Sequence, residues 1–514
     1  MLAPAANPLR ETRSRQAFAI SPLAIALLLL GVLTALRVGG TVDSDVAWQL
    51  WIAQRMHAGA DLYRDVIETN PPLWFWMAQP IEWMSRFLQL RIESALVLAI
   101  AVAVALSLAA TDRLLAQFGQ LQRTLFLSFA AIALFAVPWM QVGQREQIVL
   151  IGTLPYAALL GRRRDGNPAS AVLAASIGAG AAAGFALKHY FLLAPIFLEL
   201  WLAIARRRAW RPVRPETITI ALVGLGYAAA MWIERDYVTS IIPLLTQAYG
   251  TYSAPGLSQM LGLPALIGLA MLGALLANYR TLLGSESSLG TALVVAALAF
   301  AAAYFIQFKG WPYHAIPMVG CASLALVAVL IGDRGPSRSM ILIGPALLCL
   351  PLYLTGRAAL TDPGPDRDLQ RAIAGLPAGT PVGFIAENTA LAWPVTLQHR
   401  FAYPQRYNGY WMLGALVRSE QNTDANSALE SFWRQTVSDT VADFECLPPR
   451  RIIVARPLAG SWNAGIVDPL PYLLRDPAFA ALLGHYRAVS RSTVEVYEQV
   501  SPLPKPTRAC VRGR

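Results

Sequence analysis

Charge is scarce in this chain. Only 14% of its 514 residues are Asp, Glu, Lys or Arg, against about 25% in an ordinary soluble domain, and that excludes a soluble globular protein. Of 42 basic residues only three are Lys, at positions 188, 309 and 505. The four Cys (Cys321, Cys349, Cys446, Cys510) show neither CxxC nor Cys/His spacing, which excludes a finger-type zinc site. Cys321 and Cys349 lie in apolar runs, whereas Cys446 and Cys510 lie in polar sequence and are available for one disulfide in an oxidising compartment. GxGxxG, a P-loop and catalytic-triad spacing are also missing from the polar C-terminal region. The net charge of +11 does not point to nucleic acid, because the Arg residues form short clusters between apolar runs rather than stripes interleaved with aromatics.

What is abundant is apolar: 55% of the residues are hydrophobic and the mean hydropathy is +0.45. The chain therefore reads as a polytopic α-helical membrane protein. Apolar runs fall near 17–38, 93–111, 121–139, 146–161, 170–187, 190–205, 216–233, 259–278, 289–307, 312–332 and 339–356, about eleven helices in all. Arg10, Arg13 and Arg15, then Arg162 to Arg164, Arg206 to Arg208 with Arg211 and Arg214, Arg280, and Arg334 with Arg338 occupy every second connection. The positive-inside rule makes these loops and the N-terminus cytoplasmic, and an odd number of spans puts the C-terminus outside.

The alternate connections (39–92, 140–145, 188–189, 234–258, 308–311) read differently: "TVDSDVAW", "ETNPPLWFW", "QVGQREQ", "LKHYF", "ERDY" and "QFKGWPYH". Ionisable groups near a helix end that belong to no Arg cluster collect on this one face. Any outer loop holds some polar residues, but both signs of charge converging from five loops favour a cavity, since such groups at membrane depth line substrate paths. In the long first loop, 45–58 carries Trp48 and Trp51 on a helical pattern and reads as an amphipathic helix on the interface. "NPPLWFWMAQPIEWMSRFL" reads as a second interfacial helix, its Pro pair at the start.

Beyond 356 the composition changes. "TDPGPDRDLQ" is a linker. Residues 1–356 read as the transmembrane domain, and residues 357–514 as a small soluble α/β domain. "PVGFIAE", "RRIIVAR" and "STVEVYEQV" read as strands, and 366–376, 422–439 and 476–487 as helices. His399, His485 and the aromatic "RFAYPQRYNGYWM" read as structural.

Carboxylates and cations in an outward-facing membrane cavity suit transfer of a group from a lipid phosphate to an acceptor hydroxyl. An Asp takes the acceptor proton, and cations hold the charge developing on the departing phosphate. The stretch "DSDVAWQLWIAQRMHAGADLYRDVIETNPPLWFW" resembles the first outer loop of the GT-C superfamily of integral-membrane glycosyltransferases, particularly the branch of protein O-mannosyltransferases and aminoarabinose transferases. The resemblance implies Asp45 as the catalytic base, supported by Asp43, and a polyprenyl-phosphate-linked sugar donor acting with inversion on a cell-envelope acceptor (lipid, polysaccharide or protein) at the outer face of the bacterial inner membrane. Many relatives have Lys before the Pro pair as a phosphate contact, whereas this chain has Asn70, so another cation must serve. Arg145, Lys188, His189, Arg235, Lys309 and His314 are the candidates, with Lys309 and His314 straddling a Gly-Trp-Pro turn. Glu68 and Glu146 are candidates for sugar hydroxyls, for orienting Arg145, or for joining Asp43 at a divalent metal. Relatives differ in metal use; a divalent metal, if used, would sit on Asp43 and Asp45. The alternative from another class is a transporter or flippase for a lipid-linked or anionic solute, and a third reading that shares the chemistry is an O-antigen ligase or polymerase; the latter usually depends on Arg/His-rich outer loops. No internal repeat supports the former.

Overall fold

A computed structural model of the chain describes residues 20–250, 257–279, 288–332, 336–361, 366–421, 426–457, 466–506 and 510. Arg10, Arg13, Arg15, Arg280 and Arg334 lie outside the described residues. In chain order the helical part contains α1 (Pro22–Arg37), α2 (Ser44–His57), α3 (Leu73–Phe87), α4 (Ile92–Leu114), α5 (Gln120–Ala131), α6 (Arg145–Arg164), α7 (Ala171–Phe185), α8 (Leu193–Arg206), α9 (Pro215–Ala230), α10 (Ile242–Gly250), α11 (Leu263–Ala277), α12 (Leu289–Gln307), α13 (Ile316–Leu330) and α14 (Arg338–Thr361). Each of the eleven apolar runs coincides with one of these helices. Among the described residues, Ile92–Leu114, His189–Ala209, Leu289–Gln307, Pro312–Leu330 and Arg338–Leu360 are long and apolar enough to cross a membrane.

Burial sorts the helices by what they face. α6 and α13 are buried along nearly their whole length, whereas α1, α8, α9 and α14 expose Leu28, Leu36, Leu200, Ile204, Leu222, Leu225 and Leu342. A bundle that hides its centre and leaves large aliphatic side chains on its rim is built for hydrocarbon surroundings. Small residues let the central helices touch: a Cβ at Gly184 of α7 would stand 2.8 Å from the Val149 Cα of α6, so only glycine permits this approach.

α2 departs from the expected interfacial helix. Val46 through Ala53 are all buried. Trp48 and Trp51 stack at 4.9 Å and pack on Trp393 and Tyr403, at 5.2 to 6.2 Å between the aromatic rings of this group. The tryptophans thus face the C-terminal domain, not a headgroup layer; a helical apolar pattern says that a face is buried and not against what. α3 keeps more of the expected character, with Trp83 and Phe87 exposed at its far end.

The C-terminal part contains α15 (Arg367–Ile373), β1 (Val382–Ile385), α16 (Leu413–Gln421), α17 (Ser427–Cys446), β2 (Arg451–Ala455), α18 (Pro477–Leu483), β3 (Tyr486–Arg491) and β4 (Val494–Gln499). The sheet order is β1-β2-β4-β3, with β1 parallel to β2 and the other pairs antiparallel. The three expected strands are present. β3 replaces the end of the helix expected over 476–487, because α18 stops at Leu483 and Gly484 and His485 turn the chain into the hairpin. Arg487, Val489, Ser490 and Arg491 are exposed and the register slips between Ala488 and Ser490, which hid the alternation that would have marked it. Cys446 and Cys510 form a disulfide. His399 stacks on Phe401, and His485 contacts the Ser501 hydroxyl at 2.9 Å. Ile67, in the connection between α2 and α3, bridges to Tyr407, its N–H donating to the Arg406 carbonyl at 2.8 Å.

Candidate active site

The starts of α2 and α6 meet. Asp43 is the N-cap of α2 and accepts from the Asp45 N–H at 3.0 Å, as short acidic caps do. Gln144, the N-cap residue of α6, donates its Nε2 to the same Asp43 oxygen at 3.1 Å. This bond ties the two helix starts together, so that Asp45 in the first turn of α2 and Arg145 and Glu146 in the first turn of α6 share one region.

The remaining groups come from two turns. Lys188 follows α7 and donates to Glu146 Oε1 at 2.5 Å. The closeness of α6 and α7 at Gly184, one turn earlier, lets it reach. The His314 Nε2 lies 3.3 Å from the Lys188 Nζ and 3.6 Å from Glu146 Oε1. Tyr313 hydroxyl is 3.5 Å from Asp45 Oδ2, and the Lys309 ammonium sits over the Trp311 ring at 4.6 Å. A tight turn at Gly310 (φ +66°) makes this possible; a Cβ there would meet the Gln259 carbonyl oxygen at 2.7 Å.

Asn70 answers the question raised by the missing Lys. Its side-chain oxygen accepts from the Arg145 guanidinium, so a cation stands beside this position, supplied by α6 instead of by the loop itself. Glu68 organises the loop: Oε1 accepts from the Thr69 and Asn70 N–H groups at 2.8 and 2.9 Å and from Asn70 Nδ2 at 2.6 Å, and Oε2 accepts from Trp48 Nε1 at 2.5 Å. Both its oxygens are thereby engaged within the protein.

Two of the expected residues are not brought to this cluster. His189 is exposed and its ring lies 3.8 Å from that of Tyr190, tilted by 41°. Arg235 is exposed, while its neighbour Asp236 pairs with Arg64. Conversely Tyr313, Gln144 and Trp48 belong to the cluster's framework but carry no charge to single them out. Tyr313 and Gln144 lie inside the quoted outer-loop stretches, which was their only signal.

Electrostatics follow from burial. Burial, reinforced by the neighbouring Asp45 charge, pushes the Asp43 carboxyl up to about 6 against its two hydrogen bonds. Burial lowers the Lys188 ammonium to about 8 in spite of Glu146. Lys309 also falls to about 8, through burial and the nearby Arg145 against the pull of Asp45 and Glu146. Arg145 Nε, Glu146 Oε2 and His314 Nδ1 are buried without a hydrogen-bond partner among the described residues, a rare state for buried polar atoms in a finished interior. Among the described residues no group of three or more His, Cys, Asp or Glu is arranged to hold a metal. Asp43 and Asp45 would offer a divalent ion one carboxylate each, well short of the six or more oxygens such ions take, so substrate and water would have to complete the shell.

No protein-family model matches the chain, and no curated protein matches it in sequence. Among solved structures, ArnT from Cupriavidus metallidurans bound to undecaprenyl phosphate is similar with a TM-score of 0.54 at 14% identity, over 95% of this chain and 98% of that one. The apo state of the same protein is similar with a TM-score of 0.54 at 14% identity, over 93% of this chain and 97% of that one. An oligosaccharyltransferase from Archaeoglobus fulgidus, in complex with zinc and sulfate, gives a TM-score of 0.42 at 14% identity over 84% of this chain and 67% of that one. Over nearly its whole length the chain has the fold of ArnT.

Proposed function

We propose that the protein is an inverting glycosyltransferase that moves a sugar from a polyprenyl-phosphate carrier to a cell-envelope acceptor at the outer face of the bacterial inner membrane. The observation that carries this reading is the convergence of Asp45 with Arg145, Lys188 and Lys309 at the joined starts of α2 and α6. Asp45 takes the proton of the acceptor hydroxyl as its oxygen bonds to the anomeric carbon. The bond from that carbon to the phosphate oxygen breaks with its electron pair leaving on the phosphate, and a single displacement inverts the centre. Arg145, Lys188 and Lys309 stabilise the charge that develops there, fixed donors in a dry site doing so better than water.

The other residues have supporting roles. Asp43 caps α2 and fixes the Asp45 backbone; Glu68 holds Asn70, and Asn70 aims Arg145. The unpartnered Glu146 Oε2 and His314 Nδ1 face sugar hydroxyls in this reading. The ArnT structure holding undecaprenyl phosphate supports a polyprenyl-phosphate carrier. Residues 357–514 form the periplasmic domain over the cavity, the N-terminus is cytoplasmic, and eleven spans cross the membrane; the Cys446–Cys510 disulfide supports the oxidising side for the C-terminal domain.

Mass spectrometry of envelope lipids and glycans with and without the gene tests the assignment. Loss of one sugar from one class of product names donor and acceptor together, and an unchanged envelope in cells that normally make the protein contradicts it.

A further inference from the structure

A second polar site lies at the far end of α6 from Arg145 and Glu146, roughly 28 Å along the axis of a helix that rises ~1.5 Å per residue. A cavity of about 240 Å³ opens there between Arg163, Pro168, Arg206, Trp210, Arg211 and Arg214. Four Arg line it, and no carboxylate does. The acids behind its wall are already engaged. Arg163 and Arg214 both pair with Glu216, Arg214 with Nε at 2.8 Å, and Arg214 also pairs with Glu199. Glu199 further accepts from Tyr156 at 3.0 Å and from Trp210 at 3.3 Å. The two inner arginines are thus neutralised and fixed, while among the described residues neither Arg206 nor Arg211 has a carboxylate partner. Arg206 donates only a long bond, 3.4 Å, to the Arg164 carbonyl. The cavity therefore carries an excess of positive charge on a rigid floor.

Positive charge in this loop satisfies the insertion rule by itself, but insertion requires neither a cavity nor guanidinium groups buried on paired glutamates. The surroundings indicate which anion fits. Leu200 and Ile204 of α8 are 58% and 67% exposed, Leu222 and Leu225 of α9 are 64% and 69% exposed, and Val213 beside Arg214 is 74% exposed. These are hydrocarbon-facing surfaces, and the cavity mouth lies where they end. The half-buried Trp210 indole lines it, at the depth that tryptophan prefers in a bilayer. A free phosphate would use the guanidinium groups but none of the apolar surface. A phospholipid would use both.

We propose that this cavity binds the phosphodiester headgroup of an anionic phospholipid from the leaflet opposite Asp45, with Arg206 and Arg211 on the phosphate and the acyl chains along α8 and α9. The site is separate from the transfer chemistry and does not depend on it. Full-length protein is placed in nanodiscs of phosphatidylcholine with or without phosphatidylglycerol, and retained lipid is read by native mass spectrometry beside the thermal unfolding midpoint. The wild type retains phosphatidylglycerol selectively and melts higher in its presence. Arg206 and Arg211 each give the phosphate a charge-assisted hydrogen bond that a loop arginine outside the cavity cannot give, so Arg206→Ala and Arg211→Ala each weaken retention about tenfold. Arg208→Ala, an equal loss of charge in the same loop but away from the cavity lining, leaves it unchanged. Arg211 is exposed, so its variant keeps the test in force should Arg206→Ala fold poorly. Equal retention of both lipids, equal weakening by Arg208→Ala, or full stabilisation by inorganic phosphate in phosphatidylcholine alone each overturns the assignment.

Discussion

Asn70 carries no charge, yet it holds the position on which the cation arrangement turns. Its side-chain oxygen anchors Arg145, and a hydrogen bond to a charged group is worth about 1.5–3 kcal/mol. Asn70→Ala is therefore expected to raise the donor KM about tenfold or more with a smaller change in kcat, as steady-state kinetics on purified protein would report; an unchanged KM would place the phosphate elsewhere. The lysines predict a pH dependence. Both have been lowered to about 8, so they are cationic below that pH and lose charge as pH rises through it. The kcat/KM for the donor should fall above pH 8 with a slope approaching two protons. Lys309→Arg stays charged throughout and should reduce that slope to one, whereas a profile flat to pH 9 would exclude both lysines from donor binding. At this scale the sequence disclosed what was charged. Asp43, Asp45, Arg145, Lys188 and Lys309 stand out in an otherwise apolar chain, while Tyr313 and Gln144 do not, because a neutral donor gains its meaning only from what it is set against.

Helices set the distances between these residues. α6 and α7 touch at Gly184, where a Cβ would stand 2.8 Å from backbone, and one turn later Lys188 meets Glu146. Gly184→Ala should separate the helices, cost about 1–3 kcal/mol as overpacking does, and loosen the Lys188–Glu146 pair. A lowered unfolding midpoint together with a raised donor KM would show this; an unaffected protein would mean that the contact is softer than its geometry implies. The helices of the bundle were legible because long apolar runs have few other uses. β3 was not, since an edge strand exposed at Arg487, Val489, Ser490 and Arg491 lacks the alternation that marks a strand. Nor was the burial of α2, whose pattern fixes a buried face but not the partner that covers it.

In the whole molecule the C-terminal domain is clamped to the helix that carries the acids. Trp393, fully buried, packs on Trp48 and Trp51, and Trp48 in turn donates to Glu68. Trp393→Ala should cost about 3–5 kcal/mol and release the C-terminal domain to limited proteolysis; resistance equal to that of the wild type would show that the two domains hold together without this contact. The central claim concerns Asp45 and is tested by transfer itself. Membranes bearing the wild type or Asp45→Asn, inserted to equal levels, are supplied with a polyprenyl phosphate carrying a labelled sugar. The wild type should pass the label to an envelope product and release polyprenyl phosphate, and Asp45→Asn should lower the rate by about 10²–10⁴, the usual worth of a general base. Transfer by Asp45→Asn at the wild-type rate would contradict the account.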